Sequence, residues 1–164
     1  AIVINKIDAP GVALEALLGD IRAAFGRECL PLNLPPRGGQ AVADCFFEPA
    51  SETPDFSSVA AAHTEILDQV VELDDDLMEL YLEQGQAISL EQLHDPFERA
   101  LRAGHLIPVC FVSARTGAGL RQLLRVFTQL MPNPLEGNPP ELATGDGSKF
   151  RGNGADGHFL AHVF

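Results

Sequence analysis

Ala1-Ile-Val-Ile-Asn-Lys-Ile-Asp8 runs from four apolar, mostly β-branched residues into a polar exit. A continuous run of this kind suits a strand buried on both faces, and in open α/β sheets ligands gather at the carboxyl ends of such strands. After Pro10-Gly11, the residues Leu14, Leu17, Leu18, Ile21 and Phe25 recur at helical spacing and stop at Gly26, a suitable residue to end a helix. The pattern then returns: Leu106-Ile-Pro-Val-Cys-Phe-Val112 is a second apolar run and Ser113 to Gly119 a loop. Leu120, Leu123, Leu124, Phe127, Leu130 and Met131 follow on one face of a further helix. Strand, loop and helix in that order, twice, predict an α/β fold built from βαβ units.

What separates the two units differs in composition. Gly38 to Glu98 holds 15 acidic residues and no Lys or Arg, so these 61 residues carry -15 while the remainder carries +3. An acidic, mostly helical α+β insertion inside a parallel-sheet domain is the expected organisation. Residues 1–28 and 105–131 form the interrupted domain and 29–104 the insertion. Leu30 to Phe47, rich in Pro and Gly, reads as a small β element. Helices are expected around Val59 to Val71, over Asp76 to Glu83 and over Ser89 to Ala103, the last opened by the capping box Ser89-Leu-Glu-Gln92. Residues 132–149, with four prolines and three glycines, read as a linker, and 150–164 as the first strand of a following β-barrel domain.

The composition narrows the function classes. At 164 residues, 46% hydrophobic and a net charge of -12, the chain can bury a sizeable core and does not suit a protein that coats phosphates. No apolar run approaches the roughly 18 residues that span a bilayer. Cys29, Cys45 and Cys110 lack metal or redox spacing and are expected as reduced, buried thiols in a cytoplasmic protein. His158 and His162, four apart on an expected strand, would lie roughly 13 Å apart, too far to share an ion. No metal site and no membrane partner are expected, and the acidic face would repel DNA and RNA.

The strongest chemical signal is Asn5-Lys6-Ile7-Asp8 at a strand end. A carboxylate at Asp8 offers two acceptors that match the N1–H and exocyclic amino group of guanine, a donor pair that adenine does not present. The Lys6 stem can lie over the purine face, and the Asn5 amide can tie the base edge to neighbouring loops. Taken alone, four such residues also describe an ordinary polar strand exit. The second strand, however, ends in Ser113-Ala114-Arg115 before Thr116-Gly-Ala-Gly-Leu120, where small residues would let backbone N–H groups approach the guanine carbonyl.

Together these two loops resemble the guanine-specificity half of a translational GTPase. The long helical insertion between them, Leu77-Met-Glu-Leu-Tyr-Leu82, Ser89-Leu-Glu-Gln92 and Leu130-Met-Pro-Asn-Pro134 extend the resemblance to elongation factor G and its close elongation-factor-G-like paralogues. The resemblance implies a partial P-loop-GTPase-type parallel sheet and GTP or GDP as ligand, with Mg²⁺ in a full-length parent. It implies the ribosome as partner, with Asn5, Lys6, Asp8, Ser113 and Ala114 at the guanine. It also implies that the insertion touches the basic face of the ribosomal stalk protein, for which Glu65, Asp68, Glu72, Glu79 and Glu83 are candidates.

The departures bear on activity. The only lysines, Lys6 and Lys149, follow Asn5 and Ser148, so no GxxxxGK[ST] loop is present, and Asp8-Ala-Pro-Gly11 matches DxxG by letters alone. The chain as given is expected to recognise a base but neither to hold a triphosphate nor to hydrolyse it, and no catalytic residue is assigned. Where the family usually has a basic residue after its guanine box, Ala9-Pro10 stands here, which suits a paralogue. A second reading needs no nucleotide: an acidic helical module that docks a basic protein.

Overall fold

A computed structural model describes residues 1–36, 38–49, 54–84, 88–133, 141–143 and 147–150. Two compact units divide the chain, Ala1–Met131 and Pro132–Phe164. In the first, β1 (Ile2–Ile4), β2 (Cys29–Pro31) and β5 (Ile107–Phe111) form a parallel sheet of order β1-β5-β2. The register sets Ile4 opposite Phe111 and Pro31 opposite Val109. Val109, Cys110 and Phe111 are fully buried, as a central strand between two neighbours requires. Between β2 and β5 the chain makes a short antiparallel pair, β3 (Asn33–Leu34) with β4 (Ala43–Asp44), and then the helices α2 (Val59–Val71), α3 (Asp75–Gln84) and α4 (Leu90–Ala103). Helices α1 (Leu14–Phe25) and α5 (Leu120–Gln129) follow β1 and β5.

Cys29 corrects the expected start of the insertion. Leu30 and Pro31, read as the start of a small β element, and Cys29, assigned to the insertion, form the third strand of the main sheet. Its three residues are all buried, and so short a piece shows no periodicity that could assign it to one sheet or another. In the second unit Leu142–Ala143 (β6), within the expected linker, pairs antiparallel with Lys149–Phe150 (β7), at the start of the expected barrel strand, and Lys149 bonds Glu141 at 2.9 Å. The strand expected at Phe159 to Phe164 lies outside the described residues.

The helices of the insertion begin where side chains can satisfy their free N–H groups. Ser58 accepts from Ala61 at 3.0 Å, Asp74 from Leu77 at 3.0 Å, and Ser89 and Gln92 bond each other's backbone at 3.3 and 2.9 Å in a full capping box. Gly104, at φ 76°, ends α4. Ile66, Leu67, Val70 and Val71 of α2 and Leu93, Phe97 and Ala100 of α4 are buried, and Phe46 joins this layer with its ring 4.9 Å from that of Phe97.

The apolar faces of α1 and α5 are wider than the sheet they meet. Leu18 and Leu130 are buried as expected, and Val126, not on the expected face, is fully buried, but Phe25 is 65% and Leu124 61% exposed, and Leu17 and Phe127 are also open. A three-stranded sheet offers too little surface to cover both faces. Among the described residues no strand pairs with the outer edge of β1, where Val3 is 43% exposed.

Two side-chain braces tie the insertion to the sheet and to α5. Asn33, fully buried, accepts from the Phe111 N–H at 2.7 Å and donates to its carbonyl at 3.1 Å. Gly119 passes so close to this point, at φ 75°, that a Cβ there would lie 2.2 Å from the Phe111 oxygen. Arg125 of α5 bonds Glu48 at 2.8 Å with its guanidinium 4.2 Å from the centre of the Phe47 ring.

Replacing Asn33 by Leu keeps the volume but orphans both Phe111 groups, so urea denaturation should show a loss of about 2–3 kcal/mol; an unchanged midpoint would remove the brace from the account. The three cysteines are all buried, and burial first of all pushes the Cys45 and Cys110 thiols up to about 12. A thiol-exchange reagent at pH 8 should label no cysteine in the folded chain and all three in denaturant.

Candidate functional site

Parallel register starts the two candidate loops side by side. Ile4 and Phe111 are partners, the Val112 N–H reaches the Ile4 carbonyl at 2.8 Å, and the Ile7 N–H reaches the Val112 carbonyl at 3.3 Å. Two side chains of the first loop then fasten onto the second. Asn5 Oδ1 accepts from the N–H of Lys6 at 2.7 Å and from that of Ala114 at 3.1 Å. Asp8 Oδ1 accepts from the Ser113 hydroxyl at 2.5 Å, while Oδ2 is ion-paired with Arg115. Ser113 is fully buried, and its oxygen in turn accepts from the Thr116 N–H at 3.2 Å, which fixes the hydroxyl toward Asp8.

Of the candidate residues, Asn5, Asp8, Ser113 and Ala114 form one laced cluster, and Lys6 stands exposed beside it with φ 65°. One expectation changes: the Ala114 N–H, read as free to approach a guanine oxygen, is donated to Asn5. The Ser113 hydroxyl foremost holds the Asp8 carboxyl below the ordinary carboxylate range; desolvation works against it, and the Asp8 backbone N–H and the Arg115 guanidinium add to it. Asp8 is therefore a fixed, ionised acceptor at neutral pH.

Two contributors were not foreseen. Gly39, at φ 60°, brings the β3–β4 connection against this loop; a Cβ there would lie 2.0 Å from the Ile7 carbonyl oxygen, so any side chain would push the loop away. The Gly38-Gly39 pair marks a turn in the sequence but does not say what the turn approaches. Arg115 was noted as part of its loop, and only the fold sets it on Asp8.

The acidic candidates divide. Glu65, Asp68 and Glu72, on α2 and its end, line a cleft of about 260 Å³, but Arg22 and Arg27 line it too. Arg22 bonds Glu65 at 2.9 Å and the Cys29 carbonyl at 3.0 Å, and Asp68 accepts from the Tyr81 hydroxyl at 3.1 Å. This face is thus partly neutralised from α1. Glu79 and Glu83 are exposed on α3. No helix among the described residues is long and apolar enough to cross a membrane.

Ser113→Ala should raise the acid titration midpoint of Asp8, followed through its side-chain carboxyl resonance. Because the folded-state value is depressed, the stabilisation from this group is present above about pH 4 and lost as pH falls below it. An unmoved midpoint would remove Ser113 as its cause.

No family model matches the chain. It is similar to an elongation factor G-like protein of Mycobacterium tuberculosis, present in strains CDC 1551 and H37Rv, with 32% identity over 159 residues, 90% of this chain and 22% of that protein. It is 26% identical over 155 residues to elongation factor G of Fervidobacterium nodosum, covering 80% of this chain and 22% of that one. A crystal structure of a Thermus thermophilus protein superposes with a TM-score of 0.64 at 31% identity over 85% of this chain and 23% of its own. The chain is thus homologous to elongation factor G and elongation factor G-like proteins over most of its own length and spans about a fifth of theirs.

Proposed function

We propose that the chain is the guanine-recognising portion, with its inserted subdomain, of a GTP-binding elongation-factor-G-like protein that promotes ribosomal translocation in the cytoplasm. The observation that carries this reading is the lacing of Asn5, Asp8, Ser113 and Ala114 at two adjacent parallel strand ends. An ionised carboxylate in a fixed orientation fits the paired donors of guanine, charge-assisted on the acceptor side, and a base without that pair leaves it unsatisfied. Lys6, exposed next to it, would cover the base. The phosphates and Mg²⁺ fall to residues of the longer protein, since nothing in this sequence forms a phosphate-cradling loop. In the same reading 1–28 and 105–131 belong to the GTPase domain, to which the sheet adds Cys29–Pro31. Residues 29–104 are mainly the insertion, 132–149 a connection and 150–164 the start of a β-barrel.

A second reading concerns the insertion. Helix α3 exposes Met78 and Leu82 (36% and 79%) one turn apart beside Glu79 and Glu83. An apolar strip edged with carboxylates suits a basic partner, for which the ribosomal stalk protein is the candidate. Such docking should weaken with salt.

The nucleotide reading is tested by titrating the chain with guanosine and adenosine. Guanosine at millimolar concentration should shift the resonances of Asp8, Ser113 and Ala114 and adenosine should not, while calorimetry with GDP should show no micromolar binding. Equal shifts with both nucleosides would defeat the guanine assignment; micromolar GDP binding would defeat the view that the phosphate contacts lie elsewhere.

A further inference from the structure

Asp8 already has a partner in the place where a base would bind. Its Oδ1 is taken by Ser113 from within the fold, and Ser113 is fully buried, so that contact is built in. Its Oδ2 is taken by Arg115 from outside: the Arg115 side chain is 76% exposed, whereas that of Asp8 is only 6% exposed. The guanidinium therefore sits on the solvent side of the carboxylate. A guanidinium and the guanine edge present the same thing to a carboxylate, adjacent coplanar N–H donors, and they cannot both occupy Oδ2.

We propose that Arg115 is a competing internal ligand for Asp8, so that a guanine base binds by exchange, displacing the guanidinium from Oδ2. The inference rests on the guanine reading of the site. It makes Arg115 an affinity-setting residue, while the choice of guanine over adenine stays with Asp8: a base enters only if its own donors replace what Asp8 gives up. Apparent affinity for guanine is the intrinsic affinity multiplied by the fraction of molecules in which Arg115 is unseated. With its cation 76% exposed the pair is held only weakly, so the reduction is modest, about 2- to 5-fold. Because the pair is screened by salt while a nucleoside is neutral, added salt should unseat Arg115 and tighten guanosine binding.

The experiment titrates guanosine into the chain and into Arg115→Met and Arg115→Lys, following Asp8 and Ser113 by NMR at low and high salt. Expected for Arg115→Met is about 2- to 5-fold tighter guanosine binding, no change with adenosine, and loss of the salt-dependent tightening seen in the unaltered chain; Arg115→Lys should fall between. Arg115 lies outside the core, and unchanged resonances of Val109 and Phe111 would verify the fold of each variant. Guanosine binding that is equal or weaker in Arg115→Met overturns the inference and leaves the guanine reading standing. Absence of guanosine binding in all three chains overturns both.

Discussion

The amide of one buried asparagine sets the geometry on which the rest depends. Asn33 supplies to Phe111 both a donor and an acceptor, as a neighbouring strand would, at the last residue of β5. Two residues later stands Ser113, whose buried hydroxyl orients Asp8. A contact spanning 78 positions thus fixes where the second candidate loop begins. Gly119 passes against the same carbonyl, and Gly39 crosses to the first loop, so both loops are seated against backbone rather than against side chains that could give way. The candidate cluster is well defined because its supports are short and rigid.

Electrostatics follow the same division between built-in and removable. Ser113 acts on Asp8 from inside, at a fixed distance, whereas Arg115 acts from a long, mostly exposed side chain. The insertion repeats the theme: Glu65 and Asp68, which counted as bare acid in the sequence, meet Arg22 and Tyr81 in space. Charge totalled along a chain overstates the field wherever a neighbouring element supplies the opposite sign.

Much of the architecture could be read from residue order. The two strand, loop and helix units, the helices of the insertion and the Ser89–Gln92 capping box all rest on local pattern, and local pattern is what a sequence displays. The candidate cluster was legible as two motifs. That the motifs meet depends on Ile4 facing Phe111, which the parallel βαβ pattern implied. Cys29–Pro31 was misplaced because three residues show no period, and Asn33 was overlooked because nothing in its own neighbourhood distinguishes a strand-bracing amide from a turn residue. Leu17, Phe25, Leu124 and Phe127 were expected inward because periodicity reports which face of a helix is apolar and not how much sheet exists to receive it.

Those open residues give the acidic insertion a second meaning. A chain with several large apolar side chains in water would tend to associate, and its rate of encounter is governed by what surrounds them. Here every copy carries -12, concentrated in one stretch, so two copies repel before their apolar faces can meet. For this chain by itself, that repulsion opposes association of the open faces at neutral pH and fades toward its isoelectric point near 4.6.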